Sequence, residues 1–364
     1  MSKHIFILGA VDKKLVIPLL LSIVYLILNI YEYYFPYNDS SMFIDYAGYS
    51  LGQISTIIIP KIFKIEKYND EKGIKQNKRD YFFLILITFL LGVVDVVSLF
   101  FEDIDSPKLC FLEGGEIFII FIMTSIFMKY KYYIHHIISL IIFIILGFVI
   151  DIMLKYIQYY EIESLLSQTL YAIIESAWYC YIKYMMDTKY YYYWEILFIS
   201  GVTNLITYSL SFIILYSIKK TTNNPDIFIN LDYFSKENIG NIIIRCFVKF
   251  IFYGVAYNIL EMATLNKFSL NYIFACYELS KMPGIFIENE TLLDWLSIIP
   301  ALLQLIILFF YLEIFEYNFC NLNKNTKRNI QAREKTDNFE FIKDDTNTLI
   351  EMTPDYYVEY KEMK

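Results

Sequence analysis

Apolar residues are concentrated in ten stretches of the chain, and most charged residues lie between them. A helix needs about 20 predominantly apolar residues to cross about 30 Å of hydrocarbon, so each stretch predicts a membrane-spanning helix. Segments 2, 4 and 9 are the weaker ones, because segment 2 contains Pro60, segment 4 is short and segment 9 carries Glu278 and Lys281. Numbered in chain order, the segments are 15–35, 47–63, 81–101, 113–129, 134–154, 165–186, 194–218, 241–262, 268–287 and 296–317.

The composition is that of a chain surrounded by lipid. Of 364 residues, 57% are hydrophobic and 19% charged, and the mean hydropathy is +0.43. Soluble domains are nearer half apolar and a quarter charged. A net charge of −8 does not provide the basic face that nucleic acids require, so no nucleic-acid partner is predicted. The five cysteines are scattered without a C-x-x-C pair, and we expect neither a disulfide framework, nor a metal site, nor a cofactor.

Lysine and arginine indicate which side of the membrane each loop faces. With a cytoplasmic N-terminus, the inner flanks carry roughly three times as many basic residues as the outer flanks. We therefore predict a multi-pass protein of an endomembrane or the plasma membrane, with both termini cytoplasmic. The N-x-S/T sequons at Asn38 and Asn289 then fall in the first and last outer loops. His135 and His136 fall at the inner interface, where we expect them to contact lipid headgroups.

Ten spans divide into two sets of five, and an odd number of spans gives the two sets opposite orientations. The sequence predicts an all-α membrane protein whose first five-helix half is 1–160 and whose second is 161–322. Ten helices without internal symmetry are the alternative. Residues 323–364 follow as a disordered cytoplasmic tail, whose basic beginning suits anionic lipid headgroups. Membrane lipids are thus one predicted partner.

Two stretches resemble the drug/metabolite transporter superfamily, in the style of nucleotide-sugar-transporter-like solute carriers. In 171–210 a helix ends in a short basic-acidic turn, and the next helix opens with Trp194 and Glu195 and carries Gly201 near its middle. The stretch 124–153 resembles the basic hinge between the fourth and fifth helices, at Lys129, Lys131, His135, His136 and Gly147. The resemblance implies two inverted five-helix repeats around a cavity lined largely by segments 3, 4, 8 and 9. It names no solute.

Ionisable side chains inside apolar segments are costly, and they usually face a partner or a wet cavity. The predicted topology places four of them, of both signs, in the outer half of the membrane: Asp95, Glu116, Arg245 and Lys249. Arg245 and Lys249 are four residues apart and project from one helix face. Two hypotheses stay open: the cations bind an anionic solute, such as a phosphate or carboxylate, or the four form a structural ion-pair set.

Glu175 and Glu278 lie near mid-depth in segments 6 and 9, and either could couple transport to protons. A hydrogen bond across helices is the alternative role for both. The asparagines inside the segments, Asn29, Asn204, Asn258 and Asn271, are predicted to make hydrogen bonds between helices.

These features predict a secondary transporter that moves a small, anionic organic solute, a nucleotide sugar or a metabolite, by alternating access. The alternative is a non-transporting scaffold or receptor with a transporter-like fold. A lipid-modifying enzyme would need paired D-x-x-D or H-x-x-x-H motifs, which the sequence lacks, so no enzymatic activity is predicted. The oligomeric state and the driving ion are not specified by these patterns.

Overall fold

The computed structural model describes residues 16–34, 42–62, 77–101, 110–130, 132–153, 162–222, 239–268, 270, 272–273, 275–277, 279 and 292–312. These residues are all-helical, with no β-strand among them. The helices are α1 Val16–Tyr34, α2 Met42–Ser55, α3 Ile58–Ile62, α4 Lys78–Phe101, α5 Cys110–Phe127, α6 Ile134–Met153, α7 Ile162–Lys189, α8 Tyr193–Thr222, α9 Ile239–Val248, α10 Asn258–Lys267 and α11 Leu292–Tyr311. A π-helical segment, Lys249–Tyr257, joins α9 to α10.

Four helical stretches are long and apolar enough to cross a membrane, which supports the prediction of a membrane protein. They are Lys78–Val97, Ile134–Met153, Tyr193–Ile214 and Ile242–Asn266. Shorter apolar helices cover Val16–Tyr31, Gly115–Phe127 and Ile298–Tyr311. Predicted segments 3, 5, 7 and 8 therefore correspond to long apolar helices. The predicted tail 323–364 lies outside the described residues.

Segment 2 differs from its predicted bounds. A helix was expected over 47–63, whereas α2 ends at Ser55 and α3 begins at Ile58 after a turn. Pro60 explains the break, because in an unbroken helix its ring would collide with the carbonyl four residues earlier, at Thr56. In α3 the proline lies in the first turn, where a missing N–H costs little.

The first compact unit contains Met1–Ser106 and Glu161–Asn266, and therefore α1–α4 and α7–α10. Within it α2 packs against α8 and against the π-helical segment, and α4 packs against α7 and α8. α1 also packs against the π-helical segment. The helix formed by α9, the π-helical segment and α10 is thus bordered by α1 and α2. It carries the buried residues Arg245, Lys249, Asn258 and Glu261.

The second unit contains Pro107–Tyr160 and Lys267–Lys364, with α5, α6 and α11 among its described helices. α6 packs against both α5 and α11. The exposed residues of α6 include Ile137, Ile141, Ile145 and Phe148, spaced to share one helix face. An exposed apolar face of this kind is what a lipid-facing helix presents.

The adjacent histidines at the start of α6 are buried, which contradicts their predicted contact with lipid headgroups. His135 and His136 are 2% and 5% exposed. Their rings lie 4.0 Å apart, and His136 meets the edge of Tyr311 on α11 at 5.6 Å. The imidazoles are therefore part of the packing between α6 and α11, because stacking against aromatic rings buries their apolar area.

Two helices end on residues with left-handed backbone, at the turns that carried the family resemblance. Lys129 and Tyr190 have φ values of 56° and 58°. In both turns the next residue's N–H reaches back six positions to a helix carbonyl, from Tyr130 to Thr124 at 3.2 Å and from Tyr191 to Met185 at 3.1 Å. The Thr124 carbonyl accepts the bond from Tyr130 in addition to one from the N–H of Met128 at 3.1 Å. The two turns end each helix sharply before the next one begins.

Candidate functional site

Arg245 on α9 forms a buried ion pair with Asp45 on α2. Its Nε lies 3.1 Å from both carboxylate oxygens of Asp45. The residues are 7% and 5% exposed, respectively. Sequence reasoning did not name Asp45, which lies two residues before the predicted start of segment 2. A buried charge of each sign in contact avoids the cost of an unpaired ion.

Lys249 follows one turn later as the first residue of the π-helical segment, and it is 4% exposed. Its Nζ lies 4.1 Å from the ring centroid of Tyr253, a cation–π contact. A Cβ added at Gly48 of α2 would lie 3.2 Å from the Cβ of Lys249. Arg245 and Lys249 therefore both face α2, in line with their four-residue spacing.

Asp95 on α4 accepts a hydrogen bond from the Tyr208 hydroxyl of α8 at 2.9 Å. The Tyr208 ring stacks on Tyr46 of α2 at 4.1 Å. Tyr46 is the residue next to Asp45, so α2 links the carboxylate of Asp95 to the Arg245 pair through adjacent side chains. Three of the four predicted binding residues thus lie in the first unit, where α4 packs against α8, α8 against α2, and α2 against α9 and the π-helical segment.

The remaining predicted residues lie elsewhere. Glu116 is on α5 of the second unit and is partly exposed. Glu175 is on α7, where its Oε1 accepts a hydrogen bond from Tyr171 at 3.4 Å. Glu278 lies outside the described residues. The binding and coupling roles of all six residues stay predictions.

A network of side-chain amides joins α2, α8 and α10 in the first unit. Gln53 of α2 donates through Nε2 to Oδ1 of Asn258 at 2.8 Å, and its Oε1 accepts from Asn204 of α8 at 3.1 Å. Asn258 also donates to the carbonyl of Tyr253 at 2.7 Å. The prediction that Asn204 and Asn258 bond between helices is confirmed. Asn258 additionally satisfies a carbonyl of the π-helical segment, where backbone pairing departs from the regular helix.

Glu261 is a buried carboxylate that sequence reasoning missed. It is 1% exposed on α10, and its Oε1 accepts hydrogen bonds from Tyr179 of α7 and Tyr257, both at 2.6 Å. Tyr25 of α1 in turn donates to the Tyr257 hydroxyl at 3.1 Å. Segment 8 was expected to end at residue 262, which placed Glu261 at the membrane edge. The available signal was the apolar sequence that continues to Leu265.

One helical stretch that is long and apolar enough to span a membrane, Ile242–Asn266, therefore carries buried polar side chains over roughly 20 Å of its length, at Arg245, Lys249, Asn258 and Glu261. In order they are two cations, an amide and a carboxylate. A helix of this kind can present a cationic site toward one membrane surface and an acidic site toward the other. Among the described residues, no group of three or more metal-ligating side chains is clustered.

Comparison with known proteins addresses the fold alone. No family model matches the sequence, and no curated protein matches it. A solved structure described as "Crystal structure of protein" superposes with a TM-score of 0.56 at 9% identity. The match covers 84% of this chain and 100% of that chain. At this identity the likeness extends to the arrangement of helices, so any function must be argued from the side chains.

Proposed function

We propose that the protein is a multi-pass secondary transporter that moves a small anionic organic solute by alternating access. The observation that carries this proposal is the burial of Arg245 and Lys249 on a helix long and apolar enough to span a membrane. Charged residues at such positions are expensive and usually serve a pathway or a bound ion. Arg245 pairs with Asp45, and the ammonium group of Lys249 lies over the ring of Tyr253.

The proposed architecture is ten spans in two inverted repeats, 1–160 and 161–322. In this arrangement segment 1 corresponds to segment 6, segment 2 to segment 7, and so on to segments 5 and 10. Each compact unit contains both members of every corresponding pair of segments that it includes. The first unit contains segments 1–3 with 6–8, and the second contains segments 4–5 with 9–10. Members of an inverted repeat make equivalent contacts, so this correspondence supports the two-repeat arrangement.

Helix packing within the units supports the same correspondence. The contact of α4 with α8 joins segments 3 and 7. The corresponding contact joins segments 8 and 2, and it is the contact of the π-helical segment with α2. α4 on α7, segments 3 and 6, has its counterpart in the π-helical segment on α1, segments 8 and 1. In two further contacts, α2 with α8 and α6 with α11, the two helices are corresponding segments of the two halves. Ten unrelated helices would not be expected to pack in matched pairs.

The solute can be sought by ligand-induced stabilisation of the purified protein against nucleotide sugars, nucleotides and organic anions. A compound that raises the melting temperature is then tested as a labelled substrate in proteoliposomes. Lys249→Met keeps the aliphatic stem and removes the charge, and it should abolish the stabilisation and the uptake. The control is Lys78→Met, because Lys78 is exposed at the start of α4. Uptake by Lys249→Met at the wild-type level would exclude this cation from the site.

Membrane topology gives a separate test of the ten spans. Tags at the two termini should both be digested by protease added to sealed microsomes. An even number of spans leaves both termini on one side of the membrane, and the distribution of lysine and arginine favours the cytoplasmic side. A tag that is protected at either end contradicts the proposed orientation and the depths inferred from it. This outcome would not depend on whether a solute has been found.

A further inference from the structure

Glu261 is a buried carboxylate that is held by hydroxyl groups. Tyr179 and Tyr257 both donate to the same oxygen, Oε1, at 2.6 Å. Within the described part of the chain these two neutral hydroxyls are its hydrogen-bond donors. The other oxygen, Oε2, is therefore the atom at which a proton can be held. Asp45, by contrast, has the guanidinium of Arg245 against it.

The cation nearest in sequence to Tyr179, a donor to this carboxylate, is Lys183, one turn further along α7, whose Nζ is held by the Leu265 carbonyl and Asp187. The other groups of the described residues that act on the carboxylate carry no positive charge. Glu175 and Tyr179 act on it electrostatically from α7, and Tyr25 from α1 and Tyr49 from α2 act on its partner Tyr257. Each of these groups is neutral or negative. A carboxylate without a countercharge at membrane depth is costly, whereas the neutral acid is not. The packed arrangement therefore favours Glu261 with its proton bound.

Proton loss needs water at Glu261. The side chain lies toward the cytoplasmic end of the Ile242–Asn266 span in the predicted topology, on the opposite side of Asn258 from Arg245. If α7 moved away from α10, or α1 from the π-helical segment, water would reach the carboxylate, and the Oε2–H bond would release its proton to that water. The two tyrosine hydroxyls then stabilise the resulting anion, since hydrogen bonds to the charged form favour it.

We propose that Glu261 is a proton-binding site, protonated while buried and deprotonated when its side of the unit opens. The proposal rests on the transport function proposed above and names the proton as the ion that drives it. Solute binding at the cationic end and proton release at the acidic end would then occur on the same helix. Sequence reasoning had pointed instead to Glu175 and Glu278 for this role.

Infrared titration of the full-length protein in liposomes tests the site without a solute. Between about pH 5 and about pH 9, wild type should lose the carbonyl band of a protonated carboxylic acid as the pH rises. Glu261→Gln should lack that titrating band, and the matched control Glu175→Gln should keep it. An identical titrating band in wild type and Glu261→Gln, or an ionised Glu261 throughout this range, overturns the proposal.

Tyrosine variants test whether the neighbouring hydroxyls change the pH at which Glu261 loses its proton. A purely structural role of these hydroxyls would leave that pH unchanged. Tyr179→Phe removes a donor to Oε1, so the band of Glu261 should persist to a higher pH than in wild type. Tyr171→Phe removes the hydroxyl that contacts Glu175 and should leave the midpoint unchanged. Equal midpoints in all three proteins would show that these hydroxyls do not act on a titrating Glu261.

The two proposals can fail separately. If Glu261 titrates as described and no solute is transported, the proton site stands and the transport function fails. Where a transported solute has been found, Glu261→Gln should retain exchange of labelled for unlabelled solute and lose accumulation driven by a pH gradient. Undiminished gradient-driven accumulation in Glu261→Gln would refute the coupling role while leaving the transport function intact.

Discussion

Gly52 on α2 and Gly254 in the π-helical segment are packed backbone against backbone. A Cβ built on Gly254 would lie 2.5 Å from the Cα of Gly52 and 2.8 Å from the carbonyl oxygen of Tyr49. Small residues at membrane helix crossings permit this approach, and van der Waals contact between the backbones stabilises it. The crossing lies between Lys249 and Asn258 in sequence. It therefore holds the π-helical segment against α2 beside the polar residues on either side.

Gly254→Ala should therefore destabilise the protein, although alanine is the better helix former. Overpacking at a tight contact costs about 1–3 kcal/mol, which exceeds the gain of about 0.5–1 kcal/mol from helix propensity. Thermal unfolding in detergent measures the effect. The control is Gly240→Ala on α9, where an added Cβ meets nothing within 4 Å. A melting temperature for Gly254→Ala at or above that of Gly240→Ala would show that the crossing tolerates separation.

Arg245→Ala should destabilise the protein more than Gly254→Ala does. We expect the free energy of unfolding to fall by about 3–5 kcal/mol, because the buried carboxylate of Asp45 loses its partner. The double variant Asp45→Leu/Arg245→Met removes both charges and should recover most of that loss. Arg79 is exposed on α4, so Arg79→Ala provides the control for an arginine truncation. Chemical or thermal unfolding of wild type, Asp45→Leu, Arg245→Met and the double variant forms a double-mutant cycle. Additive losses in the double variant would mean that the two side chains do not interact energetically.

Asn258→Leu removes the amide that joins α2 to the π-helical segment and satisfies the Tyr253 carbonyl. Interhelical hydrogen bonds in membranes contribute about 0.6–2 kcal/mol each, and an unsatisfied buried carbonyl adds about 1–3 kcal/mol. We expect a lower melting temperature and faster hydrogen exchange in the π-helical segment. Asn266→Leu, at an exposed position of α10, should change neither measurement. Equal behaviour of the two leucine variants would contradict a role for the network.

Lys183 of α7 binds the end of α10. Its Nζ donates to the Leu265 carbonyl at 2.5 Å and pairs with Asp187 at 3.2 Å, and the residue is 1% exposed. The last carbonyls of a helix lack partners within it and attract a cation. Lys183→Met should therefore destabilise the protein by about 1–3 kcal/mol. Lys189→Met, in the last turn of α7 and less buried, is the control in the same unfolding assay. No difference between the two variants would refute the capping role.

Several features followed from local sequence. The long apolar helices correspond to stretches of high hydropathy, since hydropathy depends on neighbouring residues alone. The burial of Arg245 and Lys249 on one side of a helix followed from their four-residue spacing. Asn204 and Asn258 were predicted to bond between helices because polar groups in a membrane seek partners. Each inference used a pattern contained within one segment.

Other features could not be predicted in this way. Asp45 precedes its apolar segment, so hydropathy placed it outside the membrane, and only packing of α2 against α9 brings it to Arg245. Glu261 occupied the predicted end of segment 8, where a carboxylate has access to water. Its burial depends on Tyr179 of α7, 82 positions earlier in the chain.

The amino-acid order thus indicated a helical chain with the composition of a membrane protein, the positions of its long apolar helices and the charged residues that lie inside apolar segments. These properties depend on composition and spacing over a few turns. Which charged group meets which partner, such as Arg245 with Asp45 and Glu261 with two tyrosine hydroxyls, was settled by helix packing. The reason is physical: hydropathy adds up along the chain, whereas an ion pair or a hydrogen bond needs two groups within about 3 Å, and helices distant in sequence supply the second group.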